Sequence, residues 1–395
     1  MTVKPLPDPY AIEPLTKPPN CTITVPGSKS ITNRALILAA LSDKKCTLRG
    51  ALWADDTQVM VDSLQKLGFD VEVSPDPAEE CNRTIEVVGR SGEIPAKKAE
   101  LYVGNAGTAA RFLTAFVCLG HGEYRIDGDA RMRERPMRHL FDALRGLKVD
   151  VDAEHDRLPA RIRARGLRGG KVNIAMTAST QFASAMALIS RHAKLELSFH
   201  RWEKEKKGYI AMTENVMRTF SADYLIEPDL SSASYLVASG WIMGGRVEIA
   251  GWPVRSVQID GEFQKFLPPP KSVSRLKDLG DSVMTLAICA LFGKQPMKVV
   301  DAGRMREQES DRIQALVTEL QRVGARAEGR EDRFAVWPAQ PGQLHGADIE
   351  TYNDHRMAMC FAVLGLKVPG IRIKNPGCVS KTFPNFFEKL EQLRQ

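Results

Sequence analysis

At 395 residues the chain exceeds what one ordinary core fills, so two domains of about 200 residues are expected. A composition of 43% hydrophobic and 26% charged residues without low-complexity tracts is that of a globular protein, and no apolar run reaches the roughly 20 residues of a membrane span. The formal charge of +7 calls for anionic partners; with basic and acidic residues interspersed and no RNP-type aromatic signature, small phosphorylated molecules fit better than nucleic acid.

The first twenty residues carry prolines and acids where a signal peptide would be apolar, and read as an extended arm. CTITV reads as a strand running into PGSKSITNRALILAAL, where the turn Gly27-Ser28-Lys29-Ser30 opens an apolar helix. The G-x-x-x-x-G-K-[ST] spacing of a P-loop is not met, so nucleotide binding gains no support. Arg34 falls one turn after Ser30 on the same face. TQVMVDSLQKLGF then reads as an amphipathic helix and RTIEVVG as a strand.

A second glycine-rich start, GNAGTAARFLTAFVCL, carries Asn105 and Gly107. After the strand YRIDG, Arg131-Met132-Arg133-Glu134-Arg135-Pro136 gathers three guanidiniums, whose forked donors grip carboxylates and phosphates. A solvated basic turn would look the same. MRHLFDALRGL and KVNIAM lead to a third start, TASTQFASAMALI, with Ser179, Thr180 and Gln181. Lys206 and Tyr209 belong to the charge-rich RWEKEKKGY, which could equally be a solvated loop.

The fourth start, DLSSASYLVASGWI, is followed by the strand RVEIAG and by LPPPKSV, whose prolines are incompatible with a central strand. In the fifth, GDSVMTLAICALF, Asp281 sits at the helix start with no obvious cation beside it in sequence. Facing an anion-filled cleft, such a carboxyl should have a raised pKa and serve as a base. Glu309 and Arg312 share a face at the opening of SDRIQALVTELQRVGA, and a surface ion pair is the plainest account of them. The sixth start, NDHRMAMCFAVLGL, brings His355-Arg356, and Lys381 lies in the loop PGCVSKTFP beyond the strand IRIKN.

These six starts form an internal repeat. Anchored at Ser30, Thr108, Gln181, Ser232, Asp281 and His355, they are spaced by 78, 73, 51, 49 and 74 residues. With strands and amphipathic helices between, each repeat is a small α/β unit. Three units per domain give a first domain over 27–227 and a second over 1–26 with 228–395, joined by short crossings near residues 26 and 227. Any one start is explained by ordinary N-capping. Six of them, several with basic side chains, point to a shared anion-binding cleft. The seven cysteines are scattered and never form a C-x-x-C pair, which fits a reducing cytoplasm and neither a disulfide framework nor a zinc site. Metalloprotease, serine-hydrolase and dinucleotide motifs have no supporting context.

Taken in order, PGSKSITNRAL, GNAGTAARF, RMRERP, SSASY, YNDHRMAM and PGC-x-x-KTFP resemble the EPSP synthase family from about residue 10 to 392. The resemblance implies an α/β fold: a two-domain inverse α/β barrel of six βαβαββ units closing on substrate, working as a monomer without metal or organic cofactor. It implies transfer of the enolpyruvyl group of phosphoenolpyruvate to the 5-hydroxyl of 3-phosphoshikimate, with no nucleic-acid or membrane partner. Asp281 would be the base, and Glu309, or alternatively Lys29, would protonate the methylene. Lys29, Ser30, Arg34, Ser179, Thr180, Gln181, Lys206, Tyr209, Asp281, Arg304 and Gln308 would line the acceptor side. Lys29, Asn105, Gly107, Arg131, Gln181, Arg312, Arg356 and Lys381 would surround phosphoenolpyruvate.

The chain departs from the family pattern in three ways. Ser179-Thr180-Gln181 stands for Ser-Ser-Gln, which keeps the hydroxyl. Lys206-Lys207-Gly208-Tyr209 stands for Ser-Lys-Pro-Tyr, Gln308 for a lysine and Arg304 for an asparagine, so the pocket stays cationic with altered geometry. Two repeats are also shorter by about a hairpin each, around Phe220–Tyr224 and Phe266–Ser274. Two other readings remain open: a related carboxyvinyltransferase with another anionic acceptor, and a non-catalytic anion-binding relative. The sister family that acts on UDP-N-acetylglucosamine matches less well, because GHGEYRIDGDAR lacks its loop cysteine and Cys118 falls just before.

Overall fold

The computed structural model describes residues 6–175, 179–200 and 208–394. The chain divides into two compact units, one of Gly27–Glu227 and one of Met1–Pro26 together with Pro228–Gln395. The first strands, β1 (Tyr10–Ala11) and β2 (Asn20–Ile23), belong to the discontinuous unit.

The continuous unit begins with α1 (Lys29–Leu41), β3 (Lys45–Leu52), α2 (Asp55–Lys66), β4 (Val71–Pro75) and β5 (Asn82–Val88). It continues through β6 (Lys98–Tyr102), α3 (Gly107–Phe116), β7 (His121–Asp127), α4 (Ala130–Glu134), α5 (Arg138–Gly146), β8 (Asp150–Ala153) and β9 (Ala160–Arg165). It ends with β10 (Gly170–Ala175), α6 (Thr180–Ala193), β11 (Leu195–His200), α7 (Tyr209–Thr219) and β12 (Asp223–Leu225). Two sheets have four strands, ordered β12-β3-β5-β4 and β6-β7-β9-β8, and among the described residues the third pairs β10 with β11. In β6–α3–β7 the helix supplies the crossover that parallel strands require, with Leu101 opposite Ile126. Helices α1, α3 and α6 pack against one another, as sequences rich in Ala, Leu and Ile on every side demand.

The other unit resumes with α8 (Leu230–Met243), β13 (Arg246–Ile249), a 3-10 helix (Ile259–Phe266), β14 (Ser272–Ser274), α9 (Val283–Ala290) and β15 (Met297–Val300). Then come α10 (Arg312–Arg322), β16 (Ala327–Arg330), β17 (Arg333–Val336), β18 (Asp348–Ile349), α11 (His355–Gly365), β19 (Arg372–Ile373) and α12 (Phe386–Glu391). Its sheets are β14-β15-β17-β16, β1-β19-β18 and the parallel pair β13-β2. Here α8, α9 and α11 form the interior, with Leu236, Leu286 and Phe361 fully buried.

The proline run did not abolish the sheet. A strand forms two residues after Pro270 as β14, at the edge of its sheet, and the three prolines lie outside its ladder. The N-terminal arm is held by pairing: the Ile12 N–H donates to the Ile371 carbonyl, and β2 runs parallel to β13. No helix among the described residues is long and apolar enough to cross a membrane.

Candidate active site

In the continuous unit, the starts of α1 and α3 have no side-chain cap, whereas Ser179 caps α6 by accepting from the Gln181 N–H. Lys29 opens α1 and reaches Asp56 at the start of α2, 3.0 Å away. Ser30 and Thr180 sit on the first turns of α1 and α6, and Tyr209 on that of α7. Arg34 is buried, and its donors are taken by Thr213, Ser184 and the carbonyls of Ser30 and Tyr209. It ties α1, α6 and α7 together rather than facing solvent. Burial pulls its pKa down to about 10, which leaves it cationic at neutral pH.

Of the three clustered arginines, each has a different employment. Arg131 pairs with Glu134, and Arg133 binds Asp127 through two hydrogen bonds. Arg135 is the buried one: its Nη1 donates to the backbone and side-chain oxygens of Asn105 at the entrance to α3. Arg111, on α3 itself, is also buried and donates to the Pro136 carbonyl. A Cβ on Gly107 would lie 2.3 Å from Arg111 Nη1 and 2.5 Å from Arg135 Nη2, so only glycine lets both guanidiniums approach the helix start. Gln181 completes this group, donating to Thr108 Oγ1 at 3.0 Å. The sequence displayed Arg111 and Arg135 in its motifs but could not select them over Arg131.

In the discontinuous unit, Asp281 precedes the Ser282 N-cap of α9. Its loop is fixed by buried Asp260, whose carboxylate accepts from the Gly280 N–H and the Ser282 hydroxyl. Three guanidiniums meet the Asp281 carboxylate: Arg275 and Arg312 at Oδ1, 3.0 and 3.5 Å away, and Arg356 at Oδ2, 2.8 Å away. The expectation of a raised pKa is therefore corrected. Burial pushes the carboxyl upward, but Arg356, Arg312 and Arg275 overrule it and hold it well below the usual carboxylate range.

Arg312 is the hub of this cluster. It binds Asp354 through two hydrogen bonds and lies 2.9 Å from Glu309. The Glu309–Arg312 pair is thus buried, not the surface pair its spacing allowed. Gln308 accepts from Arg312 Nη1. Asp354 caps α11 through the Arg356 N–H, with His355 buried beside it. Lys381 is buried in the 3-10 helix Pro376–Lys381, and Arg304 is half-buried in another at Gly303–Glu307. Lys206 lies outside the described residues. Cys118 is buried and donates to the Thr114 carbonyl, and burial pushes its thiol up to about 12, which ill suits a nucleophile.

The protein-family model described as EPSP synthase (3-phosphoshikimate 1-carboxyvinyltransferase) matches residues 15–223 and 221–390. A 3-phosphoshikimate 1-carboxyvinyltransferase from Nostoc punctiforme is 37% identical over 98% of this chain and 99% of its own length. One from Serratia proteamaculans is 38% identical over 95% and 96%. Among solved structures, an EPSP synthase from Acinetobacter baumannii superposes with a TM-score of 0.76 at 22% identity, covering 98% of both chains.

Proposed function

The chain belongs to the EPSP synthase family and transfers the enolpyruvyl group of phosphoenolpyruvate to 3-phosphoshikimate, and we propose that Asp281 is the base of this reaction. The observation that carries the assignment is a buried carboxylate held ionised by guanidiniums, of which Arg312 and Arg356 are ones a substrate's anionic groups would claim. Within the discontinuous unit, Arg312 and Arg356 would turn to phosphoenolpyruvate together with Lys381; the family resemblance assigns Lys29, Asn105, Gly107, Arg131 and Gln181 to the same substrate. As those two arginines neutralise the substrate, their field on Asp281 falls and its proton affinity rises. The base would then become competent only when substrate is present.

Asp281 would take the proton of the acceptor hydroxyl as its oxygen bonds to the central carbon of phosphoenolpyruvate. The methylene would gain a proton to become methyl, giving a tetrahedral ketal. Loss of phosphate with a proton from that methyl restores the vinyl group. We assign the methylene proton to Glu309 rather than Lys29, because Glu309 shares Arg312 with Asp281. Ser30, Ser179, Thr180, Tyr209, Lys206, Arg304 and Gln308 would hold the acceptor, with Arg34 fixing the helices beneath it. The scattered cysteines favour a reducing cytoplasm as the setting.

The test is phosphate release with phosphoenolpyruvate and a panel of acceptors. Release is expected with 3-phosphoshikimate and none with phosphoenolpyruvate alone; preference for another acid would reassign the acceptor. Gly107→Ala should displace Arg111 and Arg135 and raise KM for phosphoenolpyruvate by about 10- to 100-fold. Steady-state kinetics check this, and an unchanged KM would remove Gly107 from that subsite.

A further inference from the structure

Arg275 has no role in the reading above, yet its guanidinium is built against the reacting carboxylate. It follows β14, and its backbone N–H donates to the Val300 carbonyl at the end of β15. The turn it opens is stapled: Asp278 accepts from the Ser274 N–H, the Ser274 hydroxyl donates to Asp301, and the Asp278 and Leu279 N–H groups donate to the Ser274 carbonyl. The folded turn brings Arg275 back to Asp281, six positions later in the chain, with Nη2 3.0 Å from Oδ1. The side chain is 7% exposed and its buried Nε has no hydrogen-bond partner among the described residues. Ordering and burying an arginine here is costly unless its charge is used.

Among the described residues Asp281 is the one acid Arg275 pairs with, whereas Arg312 also serves Asp354 and Glu309, and Arg356 also donates to the Tyr235 hydroxyl. We propose that Arg275 is a positioning residue that keeps hold of Asp281 Oδ1 when substrate draws Arg312 and Arg356 away. The inference rests on the reading of Asp281 as the base. Among the described residues three cations share the carboxylate of the free enzyme; in the substrate complex Arg275 is the one of them left to orient it and keep it deprotonated. Among the described residues, the other charged groups that act on Asp281 are Arg312 and Glu309 at the entry to α10 and Arg356 at the start of α11; Asp354 and His355 adjoin these, and Asp260 holds the flanking Gly280 and Ser282.

The sign of the effect follows from charge. Removing a nearby cation makes a carboxylate easier to protonate, so the base is lost at higher pH than before. For Arg275→Met, the acid limb of the kcat–pH profile, which reports groups in the substrate complex, should move up by about one to three pH units. KM for phosphoenolpyruvate should stay unchanged, and Arg275→Lys, which keeps the charge on a different head group, should fall between. Thermal melts at neutral pH establish that each variant is folded.

A direct readout is carbon-13 NMR titration of the Asp281 carboxyl, assigned by its absence in Asp281→Asn. An upward shift of this titration in Arg275→Met, together with the moved limb, supports the proposal. An unmoved titration overturns it. So does a rise in KM for phosphoenolpyruvate without a moved limb, which would make Arg275 a substrate ligand. A shifted titration with an unshifted limb would confirm the hold of Arg275 and remove Asp281 as the base, so the two readings fail separately.

Discussion

Asp281→Asn is expected to lower kcat by about 100- to 10,000-fold while phosphoenolpyruvate still binds, because an amide occupies the same volume but cannot accept the acceptor's proton. The substitution also removes the anion shared by Arg275, Arg312 and Arg356, so part of the cluster's stabilisation goes with it. That contribution has a defined pH range. The folded-state pKa of Asp281 lies below the value of about 3.9 of an unfolded aspartate, so the stabilisation is complete above that value and drains away as pH falls through the folded pKa. At pH 7 that contribution is fully present in the unsubstituted enzyme and absent from Asp281→Asn, so a thermal melt beside the kinetics separates chemistry from stability. Turnover within a few-fold of the unsubstituted enzyme would take the proton-transfer role from Asp281.

The largest effect on stability is expected at Arg312. Its guanidinium is almost fully buried between the Asp354 and Glu309 carboxylates. Burial works against the cation, but Asp354, Glu309 and Asp281 hold its pKa well above the ordinary value. Arg312→Met leaves Asp354 buried with the Ser310 hydroxyl and the Arg356 N–H as its remaining donors among the described residues. Breaking a buried pair from one side typically costs about 3–5 kcal/mol. Hydrogen exchange of the α10 and α11 amides under increasing urea would read the loss in the unit concerned. Adding Asp354→Asn should restore part of it, because the stranded charge is gone and the two changes are non-additive. A loss below about 1 kcal/mol, or strict additivity, would show that the network is better solvated than its geometry implies.

The helix starts were legible because their signal is local: a polar or glycine-rich turn followed by a stretch apolar on every side. Each produced a buried helix, and α1, α3 and α6, like α8, α9 and α11, pack together as such sequences must. The electrostatics were not legible, because they depend on which distant groups meet. Asp281 looked isolated, yet Arg312 and Arg356 arrive on other elements 31 and 75 positions later, and Arg275 returns through a turn closed by Ser274 and Asp278. Arg131, Arg133 and Arg135 are interchangeable to sequence inspection. Only the turn after α4 decides that Arg135 points inward to Asn105 while its neighbours pair with Glu134 and Asp127. The proline run was read correctly as hostile to a central strand, but strand position in a sheet is a non-local property, and an edge was available.

The discontinuous unit also constrains how the protein is made. β2 is synthesised early, but its partner β13 lies over 220 positions further on, and β1 waits for β19 near the other end. At translation rates of about 5–20 residues per second, β2 has no partner for roughly 10 to 45 seconds. The continuous unit draws every strand of its three sheets from residues 27–227 and can close while the ribosome is still adding to the chain. Meanwhile the N-terminal strands present unpaired edges, the feature by which nascent chains attract chaperones or one another. Slow codons placed after residue 227 would lengthen that exposure, whereas the same codons before residue 27 would not.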